Sequence, residues 1–209
     1  MGNEVKSGSR YALSFTSGAL LVREAVTVAP VYLSLRSWTA VRETVLRENL
    51  LQARTATSSA RVVLEVVKRL ATLTVEDLEL LLDATPSERG HLLWVAACRQ
   101  YGFIGEFAEE VLRERFLLLK PNVKRDDFDA FVRTKALWHP ELNEIADSTF
   151  KKLRSTLFLM MAEAGFLSEN GTIVPAVLSD RVLRRLAAST PSDVRFIPAT
   201  AQWSGGAAL

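Results

Sequence analysis

A chain of 209 residues, 48% apolar and 24% charged, can fill one core or two small lobes that share one, a balance opposite to that of a disordered chain. Its net charge of +2 is unevenly spread: residues 1–73 carry +5, 74–110 carry −6, 111–150 carry 0 and 151–209 carry +3, so a polyanion would prefer the two ends. One cysteine, Cys98, excludes an intrachain disulfide and fits a reducing cytoplasm, while no apolar run reaches the roughly 20 residues of a membrane span. Arg23 and Glu24 interrupt ALLVREAVTVAPVYLSL, and Glu163 interrupts TLFLMMAEAGFL. The start MGNEVKSGSR lacks the apolar centre of a signal peptide, so a cytoplasmic protein is expected.

Residues 1–13 read as a loose tail. From Ser14 to Leu35 the apolar spacing is helical, with Pro30 forcing a kink or a break. Ser37 suits the cap of a second helix with Trp38, Val41 and Val45 on one face. Thr57, Ser58 and Ser59 can each cap the next, whose Val63, Val66, Val67 and Leu70 form one apolar stripe, with Arg61, Glu65 and Lys68 on the polar face. Thr74 with Asp77 resembles a capping box for an acidic helix, and Thr85-Pro86-Ser87-Glu88 opens another that runs to about Tyr101. Gly102 permits a bend into FIGEFAEEVLRERFLLL, and this central pair over 86–118 should supply the core. A helix over DFDAFVRTKALW ends at His139–Pro140, a short one covers ELNEIA, and Asp147 or Ser148 caps a long one stopped by Gly165. FLSENGTIVP reads as a hairpin turning at Asn170–Gly171, a last helix spans about 179–188, and residues 191–209 read as a second tail. The expected fold is all-α: a compact helical domain over 14–190, with helix-turn-helix-like elements at 38–72 and 140–175 and a small C-terminal β-hairpin wing.

Two segments could hold phosphate. The short helix, turn, long helix and hairpin within 140–175 follow the winged helix-turn-helix order. Phe150, Leu153, Leu157 and Met160 give the long helix its core stripe, while Ser148, Lys151, Lys152 and Ser155 lie on another face of its first turns, with Arg154 beside them. A basic, hydroxyl-bearing helix start suits phosphate, which positions a protein on a duplex without reading sequence. The second segment is Arg54-Thr55-Ala56-Thr57-Ser58-Ser59-Ala60-Arg61, with Lys68 further along the same helix. The candidate DNA contacts are therefore Arg54, Thr57, Ser59, Arg61, Lys68, Ser148, Lys151, Lys152, Arg154 and Ser155. For each segment the structural alternative is an amphipathic helix with a solvated basic start.

Catalytic signals are poor. His91 and His139 are the only histidines; the first reads as a satisfied core histidine and the second as a turn residue. No P-loop, GxGxxG or GxSxG is present, and no ligand set has metal spacing. Glu109–Glu110 and Asp126–Asp127 are sequence neighbours, which do not face each other on a helix. No catalytic residue, metal or cofactor is expected, and the chain is not read as an enzyme.

The stretches SFTSGALLVREA, RENLLQARTATSSARVVLEVVKRLATLT, LLWVAACRQYGFIGEFAEEVLRERFLLL, DFDAFVRTKALWHPEL and FKKLRSTLFLMMAEAGFLSENGTIVP, in this order, resemble the BrxA family, a core component of the BREX bacteriophage-exclusion systems of bacteria. The similarity runs from about Ser14 to Leu186. It implies an all-helical protein with two helix-turn-helix-like elements, affinity for double-stranded DNA and no catalytic activity. It also implies a role beside a DNA methyltransferase and other BREX partners in marking host DNA and blocking phage replication. The implied recognition helices are those beginning at Thr57 and Ser148. A NusB-like fold is associated with such proteins, which keeps RNA as an alternative ligand. The other alternative is a protein-binding adaptor, suggested by the acidic 74–110 segment and by Trp138 and Trp203.

Overall fold

The computed structural model describes residues 10–16 and 18–200, and every regular element among them is a helix. The helices are α1 (Val22–Leu35), α2 (Trp38–Arg47), α3 (Ala56–Leu70), α4 (Val75–Asp83), α5 (Pro86–Gln100), α6 (Gly102–Phe107), α7 (Glu114–Leu117), α8 (Arg125–Lys135), α9 (Asp147–Glu163) and α10 (Asp180–Ala187). A π-helical turn, Ala108–Arg113, joins α6 to α7, and 3-10 turns cover Pro140–Glu144 and Asp193–Phe196.

Local capping accounts for the starts of α2, α3, α4 and α5. Ser37 caps α2 by accepting from the Ala40 N–H. Thr74 with Asp77, and Thr85 with Glu88, form reciprocal capping boxes at α4 and α5, each satisfying two N–H groups that a helix end leaves orphaned. α3 departs from expectation by two residues: Thr55, not Thr57–Ser59, is the cap, accepting from the Ser58 N–H. α1 begins only after Leu21, because Gly18 and Leu21 both adopt left-handed backbone (φ 70° and 58°), which a continuing helix forbids. Pro30 stays inside α1 on its exposed side and does not end it.

α5 is the central helix. Every residue from Gly90 to Cys98 is buried, and α1, α3, α4, α6 and α9 pack against it. Gly90 allows α9 its close approach, since a Cβ there would lie 3.2 Å from Ala164 Cα and from the Glu163 carbonyl. Phe103 and Phe107 meet Phe131 edge to face, both at 5.3 Å between centroids, and this joins α6 to α8. α8 runs antiparallel to α6 and α7: Lys135 near its end reaches Glu106 and Glu110, and Asp127 near its start pairs with Arg115.

The expected β-hairpin wing is not formed. Asn170–Gly171 does turn, with the Ser168 N–H donating to the Thr172 carbonyl (3.0 Å) and that of Val174 to the Phe166 carbonyl (2.9 Å). Yet the arms share a single bridge, Leu167 with Ile173. The returning arm is drawn elsewhere: the Ile173 N–H donates to Pro121 O at 2.7 Å, and Thr172 bridges to Asn122. Pro175 then ends any ladder because it has no N–H.

Both stretches expected to be loose tails are folded where they are described. Tyr11, in the expected N-terminal tail, is buried, and residues 14–16 and 18–21, expected to be helix, continue with it as a non-helical strap in which Phe15 and Leu20 are buried. At the other end, Val194, Phe196, Ile197 and Ala199 are buried. Arg113 donates to the carbonyls of Val194, Ile197 and Ala199, and the Trp94 indole donates to Phe196 O at 2.8 Å. Residues 1–9 and 201–209, including Trp203, lie outside the described residues.

Two polar clusters hold these parts. Glu65, expected on the polar face of its helix, is only 5% exposed, and Arg69 only 2%. They pair at 2.6 Å; Tyr101 donates its hydroxyl to Glu65, and Arg69 donates to the Ala19 carbonyl of the strap. Burial, then the bond to Glu65, pushes the Tyr101 hydroxyl up to about 12, so it remains a donor at neutral pH. The second cluster clamps α10. Arg181 pairs with Glu88 and Asp83, and Arg185 with Asp77 and Glu76. Bonds from Arg181, Ser179 and the Thr85 N–H hold the Glu88 carboxyl well below the usual carboxylate range.

Removing one member of the buried pair leaves the other uncompensated. Glu65→Ala should therefore cost ~3–5 kcal/mol in urea unfolding, and Glu65→Leu combined with Arg69→Met should cost clearly less; equal losses would contradict this account. For Glu88 the folded value is depressed, so its contribution is complete above the ordinary value of 4.5 and is lost as pH falls through the lower folded value. The gap in Tm between wild type and Glu88→Gln should be widest at neutral pH and narrow below about pH 4.5. A gap independent of pH would refute it.

Candidate nucleic-acid interface

α3 carries the valine stripe inward, so its opposite side faces solvent. Thr57 and Arg61 stand exposed on the first turns, and Lys68 is half-buried two turns beyond Arg61. Ser59 does not share that side. It falls four residues before Val63 on the apolar stripe, is 5% exposed, and its hydroxyl has no hydrogen-bond partner among the described residues. Ser59 is thus a core position and not a surface contact.

α9 starts directly after Ala146 without a side-chain cap, so Asp147 and Ser148 are both in its first turn. Ser148, Lys151, Lys152 and Ser155 are exposed. Arg154 is engaged within the fold: its guanidinium donates to both oxygens of Asp129, at 2.7 and 2.8 Å, and lies 5.7 Å from the Phe150 ring centroid. That pairing fixes α9 against α8 and leaves Arg154 little freedom to meet a ligand.

The two candidate segments, about 90 positions apart in sequence, line one surface cleft. Thr55, Thr57, Ser58, Arg61 and Val62 of α3 and its cap, Lys152 of α9, and Thr16 and Gly18 of the strap enclose about 500 Å³. A second hollow of about 240 Å³ continues along α3, lined by Arg61, Leu64, Glu65 and Lys68 with Ser14 and Thr16. Thr16 and Arg61 belong to both, so the hollows form one groove. The strap had no place in the sequence-based site; the one signal for it was Gly18 beside the hydroxyls of Ser14 and Thr16, inside a stretch that otherwise reads as helix. Lys151, Ser148 and Ser155 face solvent without lining the groove, and Arg54 immediately precedes its residue Thr55.

Charge is sorted by the fold and not simply by position in the chain. Three arginines of the basic C-terminal block pair with the acidic middle: Arg181 with Asp83 and Glu88, Arg185 with Glu76 and Asp77, and Arg195 with Glu109 at 3.4 Å. By contrast Arg54, Arg61, Lys68, Lys151 and Lys152 have no ion-pair partner among the described residues. Exposed cations elsewhere, Arg36, Arg42, Lys124, Arg125, Arg133 and Arg184 among them, are unpaired in the same sense; what sets Arg61, Lys68 and Lys152 apart is that they line one groove. Glu65 at its floor is neutralised from below by Arg69.

Neither histidine joins the groove. His91 is buried against Phe166, its Nδ1 without a partner among the described residues, and burial lowers its basicity. His139 stacks on Tyr11 at 3.8 Å and contacts Glu141 at 3.1 Å, which anchors the start of the strap. Trp138 and Leu137, on the turn just before it, are 71% and 76% exposed. No helix among the described residues is long and apolar enough to cross a membrane.

Three comparisons bear on this geometry. The family model described as BrxA matches residues 9–190. The BREX protein BrxA of Escherichia coli O9:H4 (strain HS) is 25% identical over 163 residues, spanning 78% of this chain and 76% of that protein. The BREX protein BrxA of Paramagnetospirillum magneticum (strain AMB-1) is 23% identical over 163 residues, spanning 78% and 82%. The crystal structure of an uncharacterized protein from Magnetospirillum magneticum shares the fold, with a TM-score of 0.75 at 22% identity, covering 91% of this chain and 98% of that one.

Proposed function

The chain belongs to the BrxA family of BREX phage-defence systems, and from that premise we propose that it is a non-catalytic, double-stranded DNA-binding component, acting beside a methyltransferase and other BREX partners. The observation that carries this reading is the groove in which Arg61 of α3 and Lys152 of α9 converge with no internal acid to satisfy them. α2 with α3, and the Pro140–Glu144 turn with α9, serve as its two helix-turn-helix-like units. Compact cations and hydroxyls of this kind contact phosphate and sugar, which positions a duplex without reading its bases. Among the described residues no Asn or Gln lines the groove to pair with adenine, and Arg61 is the one lining side chain suited to bidentate contact with guanine, so sequence preference is weak for the isolated protein.

A second reading rests on the exposed pair Leu137 and Trp138. A large aromatic held on a rigid turn is a typical anchor for a protein partner, and an adaptor role would use that surface and leave the groove empty.

Both are tested by fluorescence anisotropy of the purified chain with labelled duplex across a salt series, with structured RNA as competitor. Affinity should fall steeply with salt as neutralised phosphates release counterions. Arg61→Glu with Lys152→Glu should weaken binding at least about tenfold and flatten the salt slope by roughly 0.9 for each phosphate no longer neutralised. Binding unchanged by the double charge reversal would refute the site. No duplex binding at low salt, together with capture of a BREX partner that Trp138→Ala abolishes, would favour the adaptor.

A further inference from the structure

The strap is pinned at both ends and presents its middle to the groove. At its start, the Tyr11 N–H donates to Glu141 at 2.7 Å, the Tyr11 hydroxyl donates to Glu106 at 2.6 Å, and the ring stacks on His139. At its far end, Arg69 donates to Ala19 O and the Leu20 N–H donates to Glu163 at 2.8 Å. Glu141 precedes α9 and Glu163 is its last residue, so the strap spans the length of that helix. Between the anchors Phe15 is fully buried, Thr16 is half-buried and Gly18 is exposed. The Thr16 hydroxyl makes no hydrogen bond among the described residues, although it lines both hollows.

Opposite the strap, α3 offers Thr57, Arg61, Leu64 and Lys68 at spacings of four, three and four, a single face of the helix. From Thr57 to Lys68 that face extends about 16 Å, at 1.5 Å per residue. Each strand of a duplex carries one charge per ~3.4 Å of helix axis, and its phosphates lie farther apart along the strand itself, so that face spans a few consecutive phosphates. A helix inserted end-on into a groove would use only its first turn. Here the cations continue to the fourth turn, and the wall facing them is the strap.

Resting on the DNA-binding reading above, we propose that one sugar-phosphate strand of a DNA duplex lies lengthwise between α3 and the strap, running from Lys152 past Arg61 to Lys68, with the Thr16 hydroxyl donating to a phosphate. The strap is thus a binding element of the site and not a tail. Its shape depends on Gly18: at φ 70° a side chain is strained, and a Cβ would lie 2.3 Å from a Leu21 side-chain carbon.

The test measures anisotropy with two duplexes of unrelated sequence, using wild type, Thr16→Val, Lys68→Gln and the Arg61→Glu/Lys152→Glu protein, each first checked for unchanged Tm. Thr16→Val removes only the free hydroxyl and should weaken both duplexes equally, by about threefold to tenfold, the scale of one hydrogen bond. Lys68→Gln should weaken both and lower the salt slope by roughly 0.9. If wild type binds and the double charge reversal abolishes binding, but Thr16→Val and Lys68→Gln bind like wild type, the strap proposal fails and the DNA-binding reading stands. Unequal losses on the two duplexes would also overturn it, because a backbone track does not distinguish sequence. If wild type binds neither duplex at low salt, the reading and the proposal fall together.

Discussion

Arg69 holds a full positive charge inside the molecule, and much of the architecture is arranged to make that tolerable. Glu65 one turn earlier supplies the counter-charge, the Ala19 carbonyl supplies an acceptor, and the Tyr101 hydroxyl takes up the remaining capacity of Glu65. An uncompensated ion at this depth would cost several kcal/mol, on the order of the whole stability of a domain. The three elements that satisfy it, α3, the N-terminal strap and the end of α5, are therefore fixed relative to one another. The strap cannot leave without stranding the guanidinium, and α3 cannot rotate without separating the carboxylate from Tyr101. The groove above is framed by two of these elements, so its shape follows from charge pairing beneath its floor.

Signals in the chain are readable where the interactions are local. The Thr74–Asp77 and Thr85–Glu88 boxes close within three residues, and the valine stripe of α3 reports its own burial. Ser59 belongs to that stripe by spacing, and the periodicity argues for an inward position despite its hydroxyl. The cap of α3 is ambiguous because four hydroxyl residues crowd the start, and their spacing does not choose Thr55 over Thr57. Glu65 and Arg69 look like an ordinary surface pair because the partners that hold them inside, Tyr101 and Ala19, are 36 and 50 positions away. The turn at Asn170–Gly171 is legible, but the competitor for its returning arm, the Pro121–Asn122 backbone, is not. The same holds for the groove: each flank shows as a basic helix start, but their convergence is a tertiary fact.

Charge counts by block point to two basic ends. In the folded chain Arg181 and Arg185 pair with acids of α4 and with Glu88 of α5, while Arg61, Lys68 and Lys152, which line the groove, stay unpaired among the described residues. A nearly neutral protein can thus still offer cations to a polyanion, because the field near the surface depends on where the charges stand and not on the total.

The grip of Arg113 on three carbonyls near the C-terminal end bears on where this fold can be cut. The matched family region stops at residue 190, yet Trp94, in the middle of the central helix, completes its hydrogen bonding with Phe196. A shortened version ending at 190 would keep the whole matched region and still expose an indole, an arginine and the apolar floor beneath Ile197 to water. Residues 191–199 therefore behave as a plug that the helices close around, and any tag or fusion partner is best joined beyond it.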